Sequence, residues 1–484
     1  MKAHVARLLY IFGANDYAQK CLVLLKKYGV RVAGIIDNDS EKHGLMVGNI
    51  YVYSPKIIRN NVDIEILIAC RNFPAVVDQI ESLGVRRDRI YLSPKEIITE
   101  VWEENDFEGD EKECVLIAND YAPFVHVRVK KYYEVGFHVR VIHYSEEYDD
   151  IMSYEIDGIK IIKTGRSGLL YYLRRTDCIA ILIHFMNYRM ATVISLAEKD
   201  FLPIVVWSHG YESLPWYRTW FEHSKEELNQ RIVYYTENDR DKKRFLSEWF
   251  KKENVAWIFV SEWHSRRVEK WIGYLPVRYR VIHNYIDEDY YNLPFPEEED
   301  VTNILSIRSH KSNIYANDVV ANAILELSER TVFDRLRFTL FGFGELFEDN
   351  FKELSRKQFP NVKIIEGKLT GTQMKEVIKN YGVFLAPTRY DSHGVSVAEM
   401  MAAGRCVITS SIPVMLELYD ESCISFCEGD NPWSLADEIE YLVNHRDVYI
   451  SKCHNARTVI RHQCGYESTI EKELELVDFM RNKV

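Results

Sequence analysis

The sequence predicts an α/β chain built from three Rossmann-like modules, and three observations carry that reading. Short apolar runs alternate with helix-patterned segments along nearly the whole chain, as parallel sheets with crossover helices require. Two acidic breaks, 103–113 and 296–300, interrupt the alternation. A length of 484 residues, at about 150 per domain, leaves room for roughly three domains.

The first module, 1–102, opens with RLLYIFG, an apolar run ending at Gly13. DYAQKCLVLLKKYG then has helical spacing and stops at Gly29. VRVAGIID is a second strand ending at Asp37, and IEILIAC a third, followed by the helix-like PAVVDQIESLG. The stretch 103–113 holds seven acids and one Lys and reads as a solvated linker. The second module, 114–295, runs through CVLIAND, VRVKKYYEVG, HVRVIHY, CIAILIHF, PIVVWSHG, WIFVSEWHSRRVEKWIG and YRVIHNYID. The third, 296–484, runs through NILSIRSH, RFTLFGFGE, VKIIEG, MKEVIKNYG, VFLAPTRYDSHG, VAEMMAAG and CVITSS, then turns mostly helical from about 432.

Composition bounds the function. The charge sum is 61 basic against 73 acidic residues, or −12, with 47% hydrophobic and 28% charged residues. That excludes wholesale disorder, collagen and coiled coil, and argues against a nucleic-acid partner. No apolar run approaches the ~20 residues needed to cross a bilayer, and LLYIF is too short for a secretory signal, so a cytoplasmic location is expected. Nine dispersed cysteines without a CxxC pair suggest neither a disulfide framework nor a zinc site. Cys70 and Cys406 sit in apolar runs and read as core residues.

The chemistry concentrates at 383–410, VFLAPTRYDSHGVSVAEMMAAGRCVITS. VFLAP reads as a buried strand and TRYDSHG as the loop at its carboxyl end. A helix runs from about Gly394 to a C-terminal glycine, Gly404. A helix start behind a strand offers free N–H groups and the positive dipole end, which suits a phosphate. Asp391 precedes that start and Glu399 lies about one turn inside it, so one carboxylate can hold sugar hydroxyls and the other a ribose diol.

This segment resembles the retaining GT-B glycosyltransferases of family four, whose hallmark is two acids separated by seven residues around Gly, Glu-Ala-Met and Ala-x-Gly. Gly394, Glu399 and Gly404 keep the pattern. Asp391 stands in place of Glu, and His393 in place of an aromatic. Other pieces follow in the family's order: Trp207–Gly210, Val260–Glu262, His283–Asp287, Phe341–Glu345 and Glu366–Leu369. The resemblance covers 114 to the end. It implies a GT-B fold, two Rossmann-like domains facing a cleft, plus the additional N-terminal Rossmann-like domain. The domain 114–295 would take the acceptor, and 296–484 the nucleotide-sugar, with the C-terminal helix returning to the former.

The resemblance also assigns roles. Arg308 and Lys311 would bind the diphosphate. Gly342, Gly344, Lys368, Leu369, Ser392, His393, Gly394, Val395 and Ser396 would line the donor site. His209 would face the donor sugar as an orienting group, not a nucleophile. His126 and Arg128, on a loop after the first strand of the second module, would face the acceptor. Transfer would proceed with retention, without a metal or other cofactor. The donor would be a nucleotide-sugar, UDP being the commoner base in such enzymes. The acceptor would be a glycan, a lipid-linked or a protein-linked hydroxyl, in surface-polysaccharide or glycoconjugate assembly. Oligomeric state is not legible.

Residues 215–252, with Trp216, Trp220, Phe221, Trp249, Phe250 and several lysines, read either as a packed helical insert or as a peripheral contact with an anionic membrane. In the first module only Gly13 of the usual three fingerprint glycines is present, and Asp37 follows it near the expected ribose-binding spacing. The module is similar to the small domain found on sugar O-acyltransferases, and Gly13 and Asp37 would form its ligand site. Two other readings stand: a non-hydrolysing sugar-nucleotide epimerase, which would lack the acid pair, and a non-catalytic sugar-nucleotide-binding or scaffold protein.

Overall fold

The computed structural model describes residues 8–60, 63–98, 112–146, 148 and 150–483. Most of the acidic stretch read as a linker, 103–111, lies outside these; Glu113, its last residue, already opens a strand. The chain divides into two compact units. One holds Met1–Tyr121, Gly136–Val206 and Phe479–Val484; the other holds Ala122–Val135 and Trp207–Asp478.

In the first unit, β1 (Leu8–Phe12), β2 (Val32–Ile36), β3 (Met46–Val47), β4 (Ile50–Tyr53), β5 (Ile64–Ile68) and β6 (Ile90–Tyr91) form a sheet in the order β3-β4-β2-β1-β5-β6. All pairs are parallel except the β3–β4 hairpin. The helix Asp16–Lys27 starts where the Asn15 side chain accepts from the Ala18 N–H, and the chain leaves it through Gly29 at φ +73°. Ala18, Cys21 and Leu25 bury its inner face against Leu9, Ile11 and Ile35. Cys70, expected in the core, is only half-buried just beyond β5.

A second parallel series follows in the same unit: β7 (Glu113–Asn119), β8 (Val139–Tyr144), β9 (Ile151–Ile156), β10 (Ile159–Thr164) and β11 (Cys178–His184). They are ordered β11-β7-β8-β10-β9, with β9 antiparallel to β10. Arginines tie this series to the first sheet. Arg174 Nη2 donates to the carbonyls of Arg87 (2.7 Å) and Ile90 (2.9 Å), and Arg166 donates to that of Cys70 (3.1 Å). These bonds engage backbone carbonyls in and around β5 and β6. β12 (Ile204–Ser208) begins in the first unit and ends in the second.

The second unit contains the parallel pair β13 (Val255–Phe259) and β14 (Tyr279–Val281), linked by the helix Glu262–Ile272. It also holds β15 (Asn303–Ser309), β16 (Arg337–Phe343), β17 (Val362–Glu366), β18 (Val383–Ala386), β19 (Cys406–Ser410) and β20 (Ser425–Cys427). Their order is β17-β16-β15-β18-β19-β20, with every pair parallel. Helices Asn317–Leu327 and Pro432–Asn444 bury one face of this sheet. Helices Val395–Ala402 and Arg446–Cys464 bury the other. With both faces covered, the strands are near-continuous apolar runs, which is why they were legible. Among the described residues, no helix is long and apolar enough to cross a membrane.

Candidate functional site

The third sheet reverses its strand order between β15 and β18, and in open parallel sheets ligands bind beyond the carboxyl ends of the strands at that point. Arg308 stands at the end of β15, and the loop carrying Asp391, Ser392 and His393 leaves β18. Arg308 is only 6% exposed. Its Nη1 donates to the Ser396 hydroxyl, and the guanidinium lies 4.6 Å from the Tyr315 ring centre. Nε and Nη2 are buried without a hydrogen-bond partner. Burial pulls its pKa below the ordinary value, with Tyr315 and Asp391 opposing. A buried cation with two idle donors is unfavourable until an anion completes it.

Asp391 organises the loop. Its Oδ1 accepts from the N–H groups of Ser392 (2.8 Å), His393 (3.1 Å) and Gly394 (2.7 Å). Oδ2 takes no part in this turn. Gly394 adopts φ +78°, and a Cβ there would stand 2.6 Å from Met415 Cε, so the sharp entry into the helix Val395–Ala402 requires glycine. The N–H groups of Val395, Ser396 and Val397 open the helix ahead of its first backbone bond, Ala398 to Gly394. Ser396 thus joins the helix start to Arg308.

Glu399 is half-buried one turn inside that helix. Desolvation pushes its carboxyl up to about 7; Asp287 reinforces this and Lys375 opposes it. Lys375 is bonded elsewhere, to Asp287 and Asp289 at 2.6 Å each. Sequence reading missed Lys375, because its helix Gly371–Ile378 carries no spacing that marks a partner of Glu399 or Asp287.

The turn after β12 packs on the same loop. A Cβ at Gly210 (φ +147°) would lie 2.6 Å from Ser392 Oγ. Glu212 accepts from the N–H groups of His209 and Gly210, fixing this turn. The His209 ring stands edge-on to Phe124 at 5.1 Å. Ser261 caps the helix Glu262–Ile272 and donates to the Ser392 carbonyl (2.7 Å). His283 Nδ1–H donates to the Val260 carbonyl (2.9 Å), with its ring 5.1 Å from that of His393. His393 Nε2 meets the Cys464 thiol at 3.8 Å. Burial, with Arg128 nearby, holds both His209 and His393 well below the ordinary histidine pKa, so both rings are neutral at pH 7.

The glycines after β15 have a packing reason. Gly342 lies within β16, and a Cβ there would meet the His310 ring at 2.3 Å. Gly344 (φ +133°) makes the turn, and a Cβ there would stand 2.5 Å from the His310 backbone. Lys311 and Lys368 are exposed, their ammonium groups 5.7 and 4.1 Å from the Phe343 ring centre. Lys368 and Leu369 occupy the link from β17 to the helix Gly371–Ile378.

The structure moves His126 and Arg128 from the expected loop onto the helix Pro123–Glu134. His126 is half-buried. Arg128 is 1% exposed, and its Nε donates to both carboxylate oxygens of Glu473 at 3.0 Å. In the first sheet, Gly13 turns at φ +113° beside Ala14, whose N–H donates to Asp37 Oδ2 (2.6 Å). Asp37 also accepts from the Asp39 N–H (2.9 Å) and Lys42 (3.3 Å), so its carboxylate is largely engaged by its own module. In the insert, Trp249 and Phe250 pack inward, and Lys242 binds the carbonyls of Tyr211 and Leu214. Trp220, Val233 and Tyr234 are exposed. No group of three or more His, Cys, Asp or Glu among the described residues is arranged to hold a metal ion, and the nine cysteines are free thiols.

Residues 302–445 match the family "Glycosyl transferases group 1". Two curated relatives carry the description "O-antigen biosynthesis glycosyltransferase WclY" from Escherichia coli, 40% identical over 72 residues. That alignment is 15% of this chain and spans only 20% of the relatives' length. Among solved structures, sucrose-phosphate synthase from Thermosynechococcus elongatus is similar with a TM-score of 0.58 at 13% identity. HepE from Anabaena, in complex with UDP and glucose, is similar with a TM-score of 0.56 at 12% identity. Each likeness covers 77% of this chain and 100% of the other. The fold is GT-B, with an additional N-terminal Rossmann-like sheet.

Proposed function

We propose that this chain is a glycosyltransferase that moves a sugar from a nucleotide-sugar, UDP-linked by preference, to a hydroxyl of a glycan, lipid-linked or protein-linked acceptor. The observation that carries the reading is Arg308: a buried guanidinium at the switch point, with two idle nitrogens, set against the start of the helix Val395–Ala402. The diphosphate would complete it. Arg308 supplies a planar two-point grip, the helix N–H groups add donors, and Lys311 and Lys368 add exposed positive charge. Glu399 accepts hydroxyls of the ribose or the sugar once ionised. Asp391 Oδ2 and the His209 turn bracket the sugar.

In the reaction proposed, the bond from the anomeric carbon to the diphosphate oxygen breaks and a bond to the acceptor oxygen forms. The acceptor proton passes to the departing diphosphate. The protein's part is to position both reactants and to stabilise the leaving charge. The positive groups named here do this without calling on a metal ion. Retention is part of the proposal and is read from the anomeric signal of the product. The WclY likeness favours a role in surface-polysaccharide assembly.

A second reading, a non-catalytic nucleotide-sugar-binding protein, is favoured by one observation: Asp391 spends one oxygen on its own loop. The test is thermal stabilisation by a panel of UDP- and GDP-sugars, with and without divalent metal. A ligand at 100 times its Kd stabilises by roughly 2.7 kcal/mol. The proposal expects a shift by one nucleotide class that is lost in Arg308→Ala and Glu399→Ala. A shift that survives both changes and disappears in Asp37→Ala would move the ligand to the N-terminal module. Binding that persists with no transfer to any acceptor would favour the second reading.

A further inference from the structure

A buried charge network joins the C-terminal helix to the segments that carry His209. Glu473, on the helix Ile470–Lys483, is wholly buried, as is Arg128. Four donor contacts converge on the Glu473 carboxylate. Arg128 Nε reaches both oxygens at 3.0 Å, the Tyr132 hydroxyl reaches Oε2 at 2.5 Å, and Trp207 Nε1 reaches Oε1 at 3.0 Å. Tyr132 lies one turn beyond Arg128 on the same helix, and Trp207 lies two residues before His209. Arg128 Nη2 reaches Asn284 Oδ1 at 3.5 Å, beside His283, whose ring faces His393. Phe124, one turn before Arg128, is the ring against which His209 stands.

A buried ion pair is a poor way to glue a helix down, since apolar residues of the same volume usually do as well or better. This one is also incomplete: Arg128 Nη1 is buried and has no hydrogen-bond partner. An idle donor on a fixed cation, near the rings of His209 and His393, is what a site for a substrate oxygen requires.

We propose that Glu473 is a positioning residue of the transfer site: acting through Arg128 and Trp207, it sets the placement of His209 and holds Arg128 Nη1 for an oxygen of the acceptor. This rests on the glycosyltransferase reading above. Arg128 would touch substrate; Glu473 would not.

The test compares wild type, Glu473→Gln and the double variant Arg128→Met/Glu473→Met, with UDP as the binding probe and UDP release from UDP-glucose as the turnover probe. Glu473→Gln keeps the shape and removes the charge. We expect it to bind UDP within twofold of wild type while kcat falls at least 30-fold and the donor KM stays level. The double variant removes both charges, so its melting temperature should match or exceed wild type while release stays low. Recovery of release to within threefold of wild type in the double variant would reduce the network to packing and overturn the proposal, as would an unchanged kcat in Glu473→Gln. If wild type neither binds UDP or GDP nor releases either from its sugar, the glycosyltransferase reading fails and takes this proposal with it; if it uses only GDP-sugars, the same comparison is read with GDP.

Discussion

Replacing Arg308 by methionine should act in opposite directions on binding and on stability. Methionine fills much of the volume without charge. In the free protein, Nε and Nη2 are buried donors without partners, and each such group costs about 1–3 kcal/mol. Against their removal stand the lost bond to Ser396 and the lost attraction to Asp391. The balance should leave the ligand-free variant more stable by about 1 kcal/mol, which raises Tm by roughly 1–2 °C for a cooperative unit of this size. Binding should suffer. Two charge-assisted hydrogen bonds to a diphosphate, at about 1.5–3 kcal/mol each and discounted for the donors' burial, are together worth about 3 kcal/mol, or roughly 150-fold in Kd. Isothermal calorimetry with UDP and a thermal scan without ligand read the two effects separately. A UDP Kd within threefold of wild type, or a ligand-free Tm lower by several degrees, would mean that Arg308 is a structural cation and would refute the reasoning.

Three further outcomes are expected. Acid should destabilise the fold below pH 6.5, because burial holds His264 at about 3, His310 at about 4 and His393 well below 6.5; the unfolded chain then takes up protons that the folded chain refuses. Between pH 6.5 and 5 His264 and His310 each cost about 1.5 kcal/mol, and Glu96 and Glu399, both raised to about 7, each return a similar amount; His209 and His393, held well below 6.5, tip the balance to a net loss that urea titrations at the two pH values measure. Turnover should rise with pH through about 7 as Glu399 ionises, and that limb of the pH–rate profile should vanish in Glu399→Gln. Gly210→Ala should cost about 1–3 kcal/mol in chemical denaturation, from the positive φ and the Ser392 Oγ contact, with part of the loss restored by adding Ser392→Ala.

The acid pair at Asp391 and Glu399 was legible because one loop and one helix hold it, so chain spacing alone sets its geometry. The third sheet was legible because both its faces are covered and its strands are continuous apolar runs. The hairpin β9–β10 was not noticed: Ile151–Ile156 has no buried residue, so no alternation marks it. The packing reason for Gly342 was not legible, because the His310 ring that demands a glycine there lies on the neighbouring strand's exit loop. The partners of Arg128 could not be read at all. Glu473 is 345 positions away, and an isolated acid on a charged helix carries no local sign of burial. Lys375 is hidden for the same reason.

The account's central claim is that a nucleotide-sugar is bound and activated where Arg308 meets the helix carrying Glu399. The most direct measurement is release of nucleoside diphosphate from UDP- and GDP-sugars by wild type and by Glu399→Gln, with folding of both checked by circular dichroism. The claim predicts that wild type consumes donors of one nucleotide class and that Glu399→Gln, equally folded, loses most of that release. Equal release by both proteins, or none by wild type with any donor, would contradict it.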